Sequence, residues 1–387
     1  MIKLTPFQWS SFNFFGFFCA YGVLLPFFPV WLSQQGYSTE TISLLIALGY
    51  LFRFFGGMLL SQRIKDSAQL IPFTRFLAWF TIAILLGVMW AGGQFWLLLP
   101  ILGLFHIING GAMPINETIA STWQREVGMD YGKARLFGSV AFVVGSISTG
   151  YLVSWLGEQA IVWIMASFTL LLASGLMLPV NHRFAPSQTK ASDTAQLSYW
   201  EIFKDPTACR MLLAVSFVQA GHAAYYAYST LHWQAAGIST QTSSLLWGAA
   251  VVAEIGLFFF ATRLFTNIRI YQLVLIGTLG AMIRWAIMAS TTNVAILLFA
   301  QLLHALSFGM THYAMIRYIA TQEANKIAKL QGLYFGLASC GVMALFTLFA
   351  GIAYNISAET SFWLMVVLVV PAIFLTPKVV ASKISSQ

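Results

Sequence analysis

Five ionisable side chains stand inside stretches that are otherwise apolar enough to lie in lipid: Arg53, Glu117, Arg135, Glu254 and Arg284. A charge at that depth is costly unless it meets a partner or a water-filled cavity, so each is a candidate for function. Glu117 and Arg135 lie on consecutive apolar stretches joined by a short loop and can meet as a charge-assisted pair. Such a pair either locks two helices permanently or holds both charges until a substrate competes for the arginine. Arg284 and His304 flank the short segment Ser290–Asn293 and can share one polar network. Glu254 is a desolvated carboxylate whose protonated form is favoured unless a cation is near, which suits a carrier of one proton per cycle.

The remaining embedded groups admit two uses each. Arg53 and Glu254 occupy matching depths and are expected either to pair between two halves of the chain or to belong to the site. His304 and His312 are eight residues apart and so share a helix face, as core histidines or as members of the polar network. His106 is a further embedded histidine, and His222 heads an aromatic group of Tyr225, Tyr226 and Tyr228. That group is either packing or a stacking wall for a planar substrate. Three embedded arginines against two glutamates leave a net charge of +1, which fits an anionic substrate better than a neutral or cationic one.

The elements that carry these residues follow from composition. The chain is 59% hydrophobic and 8% charged, well outside the usual soluble mix. Apolar stretches of spanning length, about 20 helical residues, fall near 9–32, 41–61, 70–90, 95–121, 134–156, 160–180, 208–232, 243–263, 270–289, 294–318, 330–354 and 360–377. Backbone groups in lipid must be satisfied within a segment, and no alternating barrel pattern is present, so twelve transmembrane helices are expected. Polarity rises at length only between Asn181 and Pro206. The expected domains are therefore an N-terminal six-helix bundle (1–182), a cytoplasmic linker (183–206) and a C-terminal six-helix bundle (207–387). The linker ends in Tyr199–Lys204, either a short interfacial helix or part of an irregular connection.

The two halves repeat one another. Gly36-Tyr37-Ser38-Thr39-Glu40-Thr41 returns as Gly237-Ile238-Ser239-Thr240-Gln241-Thr242, an offset of 201 that also aligns Arg53 with Glu254. Parallel repeats of this size are the mark of a transporter that rocks two bundles around a midplane site. Lys and Arg avoid every second loop, being absent from Ser33–Thr41, Ala91–Gln94, Gly157–Gln159, Gln234–Thr242, Ser290–Asn293 and Asn355–Thr360. The alternate loops hold Arg63, Lys65, Arg75, Arg125, Lys133, Arg183, Lys190, Lys204, Arg210, Arg263, Arg269, Arg317, Lys326 and Lys329. Both termini share that basic side, which the positive-inside bias makes cytoplasmic. The formal charge of +8 is spread over short loops rather than a stripe, which excludes nucleic acid as the expected partner. Cys19, Cys209 and Cys340 have no metal-ligand spacing, so neither metal nor cofactor is expected.

The run Asp130-Tyr131-Gly132-Lys133-Ala134-Arg135-Leu136-Phe137-Gly138 resembles the major facilitator superfamily in the branch that contains lactose permease. The resemblance implies a span-4 carboxylate at Glu117, a span-5 arginine at Arg135, and the span-9 arginine and span-10 histidine at Arg284 and His304. It implies a substrate-stacking aromatic at Phe142, while the acid expected three positions after the histidine is Ser307. The blocks Gly221-His222-Ala223-Ala224-Tyr225-Tyr226, Trp233-Gln234-Ala235-Ala236-Gly237 and Arg317-Tyr318-Ile319-Ala320 are similar to the 3-phenylpropionate permeases of Gram-negative bacteria. The fold expected is thus an all-α membrane protein of two pseudo-symmetric six-helix bundles. The function expected is proton-coupled import of an aromatic carboxylate across the bacterial inner membrane by a monomer. Substrate contacts are assigned to Arg135, Arg284, Phe142, His222, Tyr225 and Tyr226, and proton coupling to Glu117, Glu254 and His304. The alternatives are a sugar or nucleoside symporter and, from other classes, a membrane receptor or a haem or quinone enzyme.

Overall fold

The structure, a computed structural model, describes residues 3–64, 66–182, 184 and 199–378. Most of the expected linker, residues 183 and 185–198, lies outside the described residues, as does Lys65. Regular structure among the described residues is helical, apart from one parallel bridge between Leu4 and Val180.

The first half is built from α1 (Pro6–Gln34), α2 (Thr39–Arg63), α3 (Leu70–Ala91), α4 (Phe95–Val127), α5 (Tyr131–Leu156) and α6 (Ile161–Leu176). Local chemistry sets their ends. Thr5 and Gln8 form a reciprocal capping box in front of α1, with Pro6 in the first turn where its missing N–H is not needed. Asp130 caps α5 by accepting from the Lys133 N–H at 3.0 Å, and the Lys133 ammonium stands 3.0 Å away. The Lys133 N–H and ammonium hold the Asp130 carboxyl below its ordinary range. The cap's contribution is therefore present above that range and lost as pH falls through the lowered value.

The short helix α7 (Tyr199–Lys204) precedes the second half. Lys329 lies over its Tyr199 ring at 5.2 Å, so the end of the linker is a docked helix rather than an irregular connection. Next come α8 (Pro206–Ala220), α9 (Ala223–Ala235), α10 (Thr240–Phe265), α11 (Ile270–Ser290), α12 (Val294–Leu302), α13 (Thr311–Ala320), α14 (Ala324–Tyr334), α15 (Val342–Ile356), α16 (Ala358–Val369) and α17 (Pro371–Leu375). Single π-helical turns at Ala305–Met310 and Phe335–Gly341 join α12 to α13 and α14 to α15 into two long spans.

Among the described residues, eleven helical segments are each long and apolar enough to cross a membrane. The twelfth expected crossing, 208–232, is divided between α8 and α9, of 15 and 13 residues. The break falls at Gly221-His222, where the Gln219 carbonyl receives both the His222 N–H at 3.1 Å and the His222 ring Nδ1 at 3.0 Å. The histidine closes the end of α8 with its own side chain, and this brings its ring into the interior.

By packing, the chain forms one unit of Met1–Ala191 with Trp233–Gly248, and a second of Ser192–His232 with Ala249–Gln387. Within the first, α1 packs on α5 and α6, α3 on α4 and α6, and α2 on α4. Within the second, α8 packs on α15 and α17, and α11 on α13 and α16. The same neighbour scheme thus serves the first, third, fourth, fifth and sixth spans of either half, as the sequence repeat requires. The repeat is also reproduced bond for bond. Gly36 and Gly237 adopt φ of 86° and 81°, and the Tyr37 and Ile238 amides donate to Leu32 and Trp233 carbonyls at 3.3 and 2.9 Å. Only glycine takes that conformation without strain. Ser38 and Ser239 then accept from the Thr41 and Thr242 amides at 3.3 and 3.2 Å.

Several loop arginines counted in the charge asymmetry also close helix ends. Arg75 donates to the Leu176 and Leu178 carbonyls at 2.7 and 3.2 Å, and Arg210 to Leu375 and Phe374 at 3.1 and 3.0 Å. Arg317 does the same for Phe265 and Ile268 at 2.8 and 3.0 Å. Cations suit these positions because the last carbonyls of a helix lack intrahelical partners and carry partial negative charge.

Candidate functional site

Within the second unit, α11 delivers Arg284 to the interior, where its side chain is fully buried. Nη1 donates to His304 Nδ1 at 2.8 Å and to Ser307 Oγ at 3.2 Å, and Nη2 donates to Gln301 Oε1 at 2.8 Å. All three acceptors are neutral. The guanidinium lies over the rings of Tyr225 and Trp285, 4.4 and 4.6 Å from their centroids. Desolvated cation–π contacts of this kind contribute up to about 2 kcal/mol each, which offsets part of the cost of burying a cation.

The geometry fixes most of the protons. Because an arginine N–H can only donate, His304 Nδ1 must accept, so its proton sits on Nε2 and is directed at Glu254 Oε2, 3.3 Å away. The Gln219 carbonyl can only accept, so His222 carries its proton on Nδ1 and accepts at Nε2 from the Ser307 hydroxyl at 3.1 Å. One polarised chain therefore runs from Glu254 through His304, Arg284 and Ser307 to His222. The π-helical turn at Ala305–Met310 begins beside His304 and contains Ser307, and such turns are enriched where a helix must aim side chains at a functional site.

The histidines of this span also stack. His304 and His312 lie on either side of Phe308, with centroids 5.2 and 6.0 Å apart and planes within 16° and 12°. Tyr226 is partly exposed and stacks on His222 at 5.6 Å, whereas Tyr225 is buried beneath Arg284 and Tyr228 packs on Tyr354 at 4.2 Å.

Within the first unit, Glu117 of α4 and Arg135 of α5 meet as expected, with Nε 3.2 Å from Oε1. The other carboxylate oxygen accepts a short hydrogen bond from the Tyr131 hydroxyl. Arg135 is held over Phe18 at 4.4 Å and Phe14 at 5.6 Å. The pair is about one-third exposed, at 32% and 31%. Arg53 of α2 donates to the Tyr21 hydroxyl at 2.6 Å and lies over that ring. Phe142 is buried between Tyr21 and Trp247, at 6.3 and 6.4 Å. His106 faces the α2 backbone at Gly49, edge-on to Phe105.

A cavity of about 50 Å³ lies among α1, α3, α4 and α6, lined by Asn13, Thr74, Asn109, Asn116 and Thr169 among others. It has room for water, which needs only about 10–15 Å³ of such space. Its lining includes none of the five embedded charges.

Sequence reasoning reached Arg284 with His304, and Glu117 with Arg135. It missed the residues that orient them: Tyr131, Gln219, Gln301 and Trp285 are ordinary polar or aromatic positions until the fold brings them together. Ser307 did carry a signal, as the departure from an expected acid three positions after the histidine.

A helical, many-span chain whose buried charges are satisfied by polar networks is the frame of a membrane carrier, and comparison with known proteins agrees. Residues 7–365 match the MFS_1 like family, and the chain belongs to it. It is 36% identical over 378 residues to a protein of Escherichia coli (strain K12) named a probable 3-phenylpropionic acid transporter, covering 97% of this chain and 98% of that one. It is 23% identical over 346 residues to the maltose permease of Geobacillus stearothermophilus, covering 87% and 85%. Among solved structures, the nucleoside transporter NupG matches with a TM-score of 0.77 at 13% identity, over 96% of this chain and 98% of that one. A bacterial homologue of the human lysosomal transporter Spinster matches at 0.67 with 14% identity, over 96% and 95%. The protein is a multi-pass secondary transporter of the major facilitator fold.

Proposed function

We propose that this transporter imports an aromatic carboxylate such as 3-phenylpropionate together with a proton, by alternating access. The observation that carries the reading is Arg284, a fully buried cation whose hydrogen-bond acceptors are all neutral and which is linked through His304 to Glu254. A carboxylate is the ligand that such a guanidinium lacks, because charge-assisted bonds are about twice as strong as those to neutral acceptors. The name of the Escherichia coli relative supports the aromatic half of the substrate.

Proton coupling follows from the tautomer logic. While Arg284 donates to His304 Nδ1, the ring cannot take a second proton. A substrate carboxylate that draws Arg284 away releases Nδ1, and the His304–Glu254 pair can then hold one proton more. Substrate and proton favour each other's binding, which is what symport needs. Glu117 already accepts from both Arg135 and Tyr131, so it serves as the resting counter-ion of Arg135 and leaves Glu254 as the proton carrier. Phe142, His222 and Tyr226 are assigned to the substrate ring, Tyr225 supports Arg284, and Arg53 is assigned either to an ion pair between the halves or to the site.

The exchanging bodies are taken to be the bundles 1–182 and 207–387, joined by the linker 183–206. The protein would act as a monomer in the bacterial inner membrane with both termini cytoplasmic, without a cofactor and without enzymatic activity. Replacing Arg135 with Gln tests the carboxylate contact. Uptake of labelled 3-phenylpropionate by reconstituted protein is expected to fall at least about tenfold, the loss of one charge-assisted bond. Uptake and pH dependence left intact would remove Arg135 from the site.

A further inference from the structure

We propose that Tyr21 and Arg53 form a second polar subsite on the first unit, one that takes a hydroxyl borne by the substrate's aromatic ring, so that ring-hydroxylated aryl carboxylates are transported as well as 3-phenylpropionate. The inference rests on the aromatic-carboxylate reading given above and narrows it to a substrate class.

The subsite is built on one face of α1. Phe14, Phe18 and Tyr21 follow one another at spacings of four and three residues and so project from the same side of that helix. The Phe18 and Tyr21 rings meet edge-on at 6.2 Å. Two guanidiniums from other helices rest on this row: Arg135 of α5 over Phe14 and Phe18, and Arg53 of α2 over Tyr21 at 5.1 Å. Gly110 of α4 seats α2 at that level, because a Cβ there would collide with the Arg53 carbonyl. Arg53 and Tyr21 are both half-buried, while Phe14 and Phe142 are buried.

The proton on Tyr21 decides what the subsite offers. Arg53 Nη1 donates to the Tyr21 hydroxyl at 2.6 Å. A guanidinium can only donate, so the phenol oxygen accepts and its own O–H is left to donate elsewhere. Tyr21 makes no other hydrogen bond among the described residues. Accepting from a cation also polarises the phenol and strengthens that O–H as a donor. The pair therefore presents one strong donor, backed by a fixed positive charge, to an oxygen acceptor.

Position says which oxygen. Arg135 and Phe142, assigned to the carboxylate and to the ring, lie two turns apart on α5, about 10 Å at the helical rise. Tyr21 touches the ring end directly, its ring 6.3 Å from that of Phe142. A substrate with its carboxylate at Arg135 and its ring at Phe142 thus brings the ring edge to Tyr21, and a hydroxyl on that edge supplies the acceptor. The small polar cavity described above has Tyr21 in its wall and has room for a water that can serve the hydroxyl when the ring is bare. The unsubstituted acid is therefore still accepted, and the subsite sets a preference.

The test uses full-length protein in proteoliposomes, with Tyr21→Phe beside wild type. The variant keeps the ring that carries Arg53 and meets Phe142, and loses only the hydroxyl. Uptake is measured for 3-phenylpropionate and for its analogues hydroxylated at the ortho, meta or para ring position. Wild type is expected to take at least one hydroxylated acid with a KM at or below that of the unsubstituted acid. In Tyr21→Phe the KM for that acid should rise about tenfold, the loss of one charge-polarised hydrogen bond, while 3-phenylpropionate uptake stays within about twofold. An equal change for both acids, including loss of both, would mark a structural role and overturn the proposal. So would no change for either, or a wild type that transports 3-phenylpropionate and none of the hydroxylated analogues. A wild type that transports none of these acids would sink the aromatic-carboxylate reading itself and this inference with it.

Discussion

Arg284→Gln is expected to lower 3-phenylpropionate uptake at least about a hundredfold, the equivalent of roughly 3 kcal/mol. The side chain serves His304, Ser307 and Gln301 at once and stacks between two rings, so its loss strands three buried acceptors as well as removing the anion site. Arg284→Lys should recover little, because an ammonium is a point charge and cannot span acceptors placed for a planar fork. Size-exclusion behaviour and tryptophan fluorescence of the purified variants separate loss of function from loss of fold. A lysine variant with wild-type uptake would show that only charge, and not the fork, is needed.

Glu254→Gln should separate exchange from accumulation. The amide keeps an oxygen for the His304 Nε2–H now 3.3 Å from the carboxylate, so the local fold survives, but it can neither bind nor release a proton. Gradient-driven accumulation is expected to fall to the passive level, while exchange persists and loses its dependence on pH. Accumulation that survives in this variant would move the proton to another group, with His304 next in the chain.

Much of this arrangement can be foreseen from residue types. The spans follow from apolar length, and the repeated Gly-x-Ser-x-x-Thr corner follows from its glycine and cap, which recur with the same bonds at Gly36 and Gly237. Arg284 with His304, and Glu117 with Arg135, could be paired because a charge in lipid needs a partner and few were within reach. The break at Gly221-His222 was not foreseeable from hydropathy, since His222 lies amid apolar residues and its capping of Gln219 is a local geometric choice. The π-helical turns are equally silent, because they cost one register slip and leave composition unchanged. Neutral partners such as Gln301, Gln219 and Tyr131 carry no charge imbalance that would draw attention to them.

Proton-coupled import is tested by loading proteoliposomes at neutral pH, acidifying the outside, and following labelled 3-phenylpropionate. Gradient-driven uptake is expected to run well above the rate in protein-free vesicles, to be abolished by a protonophore, and to be competed by unlabelled aromatic acids but not by lactose or uridine. Uptake that ignores the gradient, or that lactose or uridine competes and aromatic acids do not, would contradict it.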